Sequence, residues 1–156
     1  MFFIVMILAL VGFDQLFKYL AVVFLKPVGN LSVWPGVVGL RYIENDGAAF
    51  SILSGSQTFL IVITGAALLA ICWYIFSKRY SSKMEYLSFL LIAAGGIGNL
   101  IDRLRQGFVI DYINLEFMNF AIFNFADCLV CLGIGLLVLS TLLEFRKEKK
   151  RGTLHG

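Results

Sequence analysis

Four stretches of the sequence stay apolar over about 20 residues, the length of α-helix that crosses a bilayer. They cover roughly 2–25, 57–77, 84–104 and 122–144. The second carries no charge, and the other three are interrupted by polar residues. In the last, "FNFADCLVCLGIGLLVLSTLL", Asn124 and Asp127 sit where lipid-facing side chains are otherwise expected. The pattern predicts a membrane all-α protein: one domain, 1–156, built on a bundle of four transmembrane helices. The 26–56 segment is too long for a plain connection. Its strand-like run at 37–43, among Pro35, Gly36, Gly39 and Gly47, predicts a small β-like cradle on the outer surface. The stretch "NLEFMNFAI" at 114–122 is amphipathic enough to lie in the interface.

Composition agrees with this picture. The 156 residues are 60% hydrophobic and 15% charged, well below the charge of a soluble domain. No basic stripe with interleaved aromatics is present, which excludes a nucleic-acid surface. The N-terminal "MFFIVMILALVGF" lacks a basic leader and a small-residue cleavage site, so it reads as a retained helix rather than a signal peptide. Cys72, Cys128 and Cys131 are odd in number and lie in apolar runs. They give no disulfide framework and read as small buried hydrophobes.

Positive charge orients the bundle. Lys78, Arg79 and Lys83 lie between the second and third helices, and Arg146, Lys147, Lys149, Lys150 and Arg151 follow the fourth. These regions and both termini are expected in the cytoplasm. The 26–56 and 105–121 segments then face outward.

Intramembrane polar residues are costly and mark function. Asn99, Asp102 and Arg103 share one face of the third helix. Asn99 and Asp127 each lie roughly 8 Å inside the outward end of their helix, at 1.5 Å rise per residue. Asp111 follows on a short linker that can fold back to that level. Asp14 and Lys18, spaced i, i+4, read as a structural ion pair, with Asp14 roughly 16 Å below the outward end, near mid-membrane. Gly95, Gly96 and Gly98 read as close-packing positions.

The cytoplasmic halves of the helices hold no polar relay, which argues against a channel or transporter. An assembly protein would account for ion pairs but not for several Asn and Asp residues converging at one outer level. An enzyme acting on a membrane-bound substrate remains. The single histidine, His155, lies in the tail, so Ser-His, Cys-His and His-ligated metal sites are excluded. Nothing in the pattern requires a Ser-Lys dyad of Lys18 with a serine such as Ser51. A carboxylate pair is left, in which one member holds a proton while the other acts as base. Asp111 and Asp127 are the candidates. Asp102 competes, but it stands next to Arg103 and is expected to be held in an ion pair.

At these residues the chain resembles the bacterial lipoprotein signal peptidases (signal peptidase II). The likeness is carried by "DQLFK" at 14–18, "NDGAAFS" at 45–51, "GNLIDR" at 98–103, "VIDYI" at 109–113 and "FNFAD" at 123–127. It implies an intramembrane aspartic protease of the bacterial plasma membrane that cuts prolipoproteins just before a diacylglyceryl-modified cysteine, on the extracytoplasmic side. It implies Asp111 and Asp127 as the catalytic dyad and Asn45, Asn99, Arg103 and Asn124 as the substrate lining. Asp14, Lys18, Asp102 and Gly47 would give structural support. Membrane lipid and the lipidated substrate are the expected partners of a monomer, and no metal or organic cofactor is implied. The loop at 45–50 is expected to close over the site. Tyr112 stands where Phe is common in the family, and Cys128 follows Asp127.

Overall fold

The computed structural model describes residues 2–47 and 53–152. Its order is α1 (Phe2–Leu20), a π-helical turn (Ala21–Leu25), β1 (Asn30–Trp34), β2 (Val38–Asn45), α2 (Gln57–Phe76), α3 (Lys83–Gln106), β3 (Val109–Leu115) and α4 (Phe125–Gly152). All four helices are long and apolar enough to span a membrane. The expected four-helix membrane architecture with a small cradle is therefore present. The exposed side chains of the helices are largely apolar, among them Leu8, Val62, Leu69 and Leu132, as lipid contact requires.

α3 is the central helix and packs against the other three. Small residues make this possible. A Cβ on Gly95 would collide with the carbonyl oxygen of Ala126, and one on Gly133 would lie 2.8 Å from that of Ser88. Phe3, Ile75, Leu90, Leu91, Ala94 and Leu129 form the apolar core between the helices. A second cluster, Ala21, Leu25, Ile110 and Tyr112, lies between the π-turn of α1 and the sheet.

The cradle is a three-stranded antiparallel sheet in the order β1-β2-β3. Its first hairpin turns at Trp34–Pro35–Gly36–Val37, with Val37 N–H bonded to Trp34 C=O at 2.9 Å. Pro suits the second position of such a turn, and Gly36 supplies the positive φ of 74° that the third demands.

β3 was not anticipated as a strand. It pairs with β2 through Ile43–Asp111 and Asn45–Val109, among others, so the linker after α3 becomes the inner edge of the cradle. The 114–122 stretch is not a helix. Asn114 and Leu115 finish β3, and the chain then returns in a loop pinned where Phe123 pairs with Ile113. That loop exposes Phe117, Met118 and Phe120. α4 also runs beyond its apolar segment, because "EFRKEKKR" is rich in good helix formers. Apolar length measures the span, not the helix.

Candidate active site

The local sequence "NFAD" dictates how α4 begins. Asn124 is the residue before the first helical turn and Asp127 the third within it. Asn124 Oδ1 accepts from Asp127 N–H at 3.0 Å, and Asp127 Oδ2 accepts from Asn124 N–H at 3.0 Å. This is a reciprocal capping box with Asn and Asp in the two roles. The other free amides of that turn are also met. Phe125 N–H reaches the Tyr112 hydroxyl at 3.3 Å, and Ala126 N–H reaches Asp14 Oδ1 at 3.0 Å. The positive end of the helix macrodipole therefore faces two carboxylates, which it favours.

β3 supplies the opposing carboxyl. Successive side chains on a strand point to opposite faces. Tyr112 thus packs toward α1 while Asp111 points the other way. Asn45 Nδ2 donates to Asp111 Oδ2 at 2.8 Å, and Asn124 Nδ2 donates to Asp111 Oδ1 at 2.6 Å. Asn99 Nδ2 donates to Asp127 Oδ1 at 2.8 Å. Asp111 is 2% exposed. Burial pushes its carboxyl up to about 6; the charge of Asp127 adds to this, while donation from Asn45 and Asn124 opposes it. Asp111 and Asp127 line one cavity of about 530 Å³, together with Asn45, Asn99 and Arg103. Two carboxyls held by one residue, Asn124, through its side chain and its backbone N–H, one of them poised near neutrality, can activate water and protonate a carbonyl.

Behind the pair lies a buried charge cluster. Lys18 Nζ sits 2.9 Å from Asp14 Oδ2, 2.9 Å from Asp102 Oδ2 and 2.8 Å from Asn99 Oδ1. One cation faces two buried carboxyl groups, whose remaining oxygens need further donors. Gln15 Nε2 supplies bonds to Asp102 Oδ1 at 3.0 Å and Asp14 Oδ2 at 3.2 Å. Ile110 N–H reaches Asp102 Oδ2 at 3.3 Å.

One expectation is corrected here. The ion-pair partner of Asp102 is Lys18 rather than Arg103, because adjacent residues on a helix diverge while Lys18 faces α3 from α1. Asp14 keeps the expected pair with Lys18 and also touches the first turn of α4, where it accepts from Ala126 N–H.

Arg103 turns instead toward the cradle, where Nη2 donates to Gly47 C=O at 2.9 Å. Gly47 N–H in turn donates to Asn45 Oδ1 at 2.9 Å. Arg103, Gly47 and Asn45 thereby form one chain of contacts ending on Asp111. Asn124 is fully buried, its carboxamide committed to Asp127, Asp111 and Asn99. It braces the carboxyl pair instead of presenting itself to a ligand. Cys128 and Cys131 are exposed and line the cavity rather than being buried; Cys72 is half-buried. Nothing in the sequence marks Gln15 as part of this cluster, since a glutamine beside an aspartate carries no periodic signal. Ala48, Ala49 and Phe50 of the expected closing loop, together with Ser51 and His155, lie outside the described residues.

Comparison with known proteins points one way. The family described as signal peptidase (SPase) II matches residues 6–143. The chain is 42% identical over 137 residues to the lipoprotein signal peptidase of Lactococcus lactis subsp. lactis (strain IL1403), covering 88% of this chain and 89% of that protein. It is 43% identical over 141 residues to the lipoprotein signal peptidase of Streptococcus pneumoniae (strain ATCC BAA-255 / R6), covering 90% and 92%. A solved structure described as a bacterial membrane enzyme, obtained by the in meso method, is 31% identical. It superposes with a TM-score of 0.85 over 92% of this chain and 88% of its own.

Proposed function

The chain belongs to the signal peptidase II family, and from that membership we propose that Asp111 and Asp127 are its catalytic pair. It is a multi-pass membrane protease of the aspartic class that acts on lipoproteins. One observation carries the assignment of the pair. A single buried carboxamide, that of Asn124, bonds Asp111 through Nδ2 and the Asp127 N–H through Oδ1, and both aspartates line one cavity.

Burial raises the proton affinity of Asp111, which suits it to be the protonated member of the reactive form of the pair. Asp127 acts as base. It takes a proton from a water as the water oxygen bonds to the scissile carbonyl carbon, and Asp111 gives its proton to the carbonyl oxygen. Collapse of the resulting diol breaks the C–N bond. Asp127 returns its proton to the leaving nitrogen, and a diol hydroxyl returns one to Asp111. The products are a free carboxyl group on the signal peptide and a free amino group on the mature protein. Asn45, Asn99 and Asn124 hold the two carboxyls, while Arg103 fixes the cradle through Gly47.

The proposed substrate is a prolipoprotein cut before a diacylglyceryl-modified cysteine. The cavity wall beside the pair, with Leu115, Ile122, Phe123 and Val130, is mostly apolar and suits a lipid-bearing peptide. The site is proposed to face the extracytoplasmic side of a bacterial plasma membrane. The loop with Lys78, Arg79 and Lys83 meets the inner part of α4 through Ser81–Glu144 and Ser82–Ser140 contacts. Positive charge is thus gathered at one end of the bundle, as cytoplasmic loops require.

The reading is tested by incubating the purified protein with a diacylglyceryl-modified prolipoprotein and its unmodified counterpart. Cleavage of the modified form alone is expected. Equal cleavage of both would remove the lipid from the recognition scheme.

A further inference from the structure

Lys18 is 1% exposed and takes no part in the cavity wall, yet it contacts a residue that does. Two of its three partners, Asp14 and Asp102, answer its charge. The third, Asn99, is neutral, so that contact sets a direction instead. An ammonium has three N–H donors and no acceptor. Only the oxygen of the Asn99 carboxamide can therefore face Lys18 Nζ, and it does so at 2.8 Å. The amide nitrogen is thereby turned toward Asp127 Oδ1, 2.8 Å away. Turned over, the carboxamide would set N–H against the ammonium and C=O against the carboxylate.

The other two asparagines are oriented on the same principle by other donors. Asn124 Oδ1 is claimed by Asp127 N–H, and Asn45 Oδ1 by Gly47 N–H. Those donors are backbone groups. For Asn99 the donors to Oδ1 are Lys18 and, at 3.2 Å, Asn124 Nδ2; only Lys18 is charged and unable to accept.

We infer that Lys18 is a positioning residue of the hydrolysis, acting through Asn99 to keep an N–H donor on Asp127 Oδ1. Its role is more than neutralising the buried aspartates. The inference rests on the reading of Asp111 and Asp127 as the catalytic pair.

The test uses the purified full-length chain and a diacylglyceryl-modified prolipoprotein. Lys18→Met is combined with Asp102→Asn so that the cluster keeps its charge balance, with Asp102→Asn alone as reference. Relative to that reference, kcat is expected to fall about tenfold or more while KM stays within about twofold, the loss of one hydrogen bond to a charged group. Because Lys18 acts through Asn99, adding Asn99→Leu to this variant should lower kcat no further than Asn99→Leu alone does. Factors that multiply, or a loss confined to KM, would overturn the inference.

Asn99→Asp keeps an oxygen for Lys18 but offers Asp127 no donor, so it is informative even if the Lys18 variant does not fold. It should be folded with kcat lowered at least as far as in Asn99→Leu; kcat within about twofold of the parent would overturn the inference. Asp111→Asn and Asp127→Asn are run in parallel. If either turns over normally, the catalytic reading itself has failed. If both are inactive while the Lys18 and Asn99 variants keep kcat, only the present inference falls.

Discussion

Asn124 donates to Asp111 Oδ1 across 2.6 Å, the shortest of the contacts that tie β3 to the start of α4. The same side chain caps the helix that bears Asp127. One residue thus fixes the separation of two carboxyls that come from different elements.

Asn124→Asp separates these two duties. An aspartate still accepts from Asp127 N–H, so the cap is kept, but it has no N–H for Asp111 and adds a third acid. Turnover is expected to fall at least about 100-fold, the scale of losing a charge-assisted hydrogen bond and gaining repulsion. Asn124→Ala loses the cap as well, at a further cost of about 1 kcal/mol in stability. Parallel measurements of turnover and thermal unfolding in detergent check both.

Asp111→Asn should stabilise the protein while disabling it. The carboxyl of Asp111 titrates at about 6 in the folded chain and near 3.9 when unfolded. Between those values the folded state binds more protons, so this group's contribution to stability falls as pH rises through the window. Above pH 6 the buried carboxylate costs at most about 3 kcal/mol, and an amide removes that cost while giving up some hydrogen bonding. The variant is expected to melt higher than the parent at pH 7.5 and to lose that advantage at pH 3.5. A lower melting temperature at pH 7.5 would contradict the placement of Asp111.

Asp14→Ala removes one of the two carboxylates on Lys18 and leaves Ala126 N–H buried without a partner. A loss of about 2–4 kcal/mol is expected, from the unmet donor and the broken buried pair. An unchanged melting temperature accompanied by lost turnover would instead make Asp14 part of the chemistry.

Gly98→Ala attacks the same cluster from the opposite side. Its Cβ would lie 2.5 Å from Asp14 Oδ2. The carboxylate is held by Lys18, Gln15 and Ala126 and has little room to move. A destabilisation of about 1–3 kcal/mol is expected, as for other overpacked sites. Thermal unfolding of the variant measures it.

The four spanning helices were legible because lipid imposes a minimum apolar length that few other structures need. The capping box at 124–127 has a local spacing, i to i+3, but that spacing alone also fits a polar helix face, and only the hydrogen bonds distinguish the two. β3 was not legible. Its pairing with β2 joins segments far apart in sequence, and "VIDYINL" has no clean alternation to announce a strand. The ion-pair partner of Asp102 was not legible either: it depends on how α1 is set against α3, and no count along a single helix reveals that. The orientation of Asn99 was likewise invisible, since it follows from a lysine 81 residues away.

The catalytic claim is tested most directly by cleavage of a diacylglyceryl-modified prolipoprotein with the parent chain, Asp111→Asn and Asp127→Asn, each verified as folded. The account predicts cleavage by the parent and none by either variant. Substantial turnover by one of them would contradict it and remove that residue from the pair.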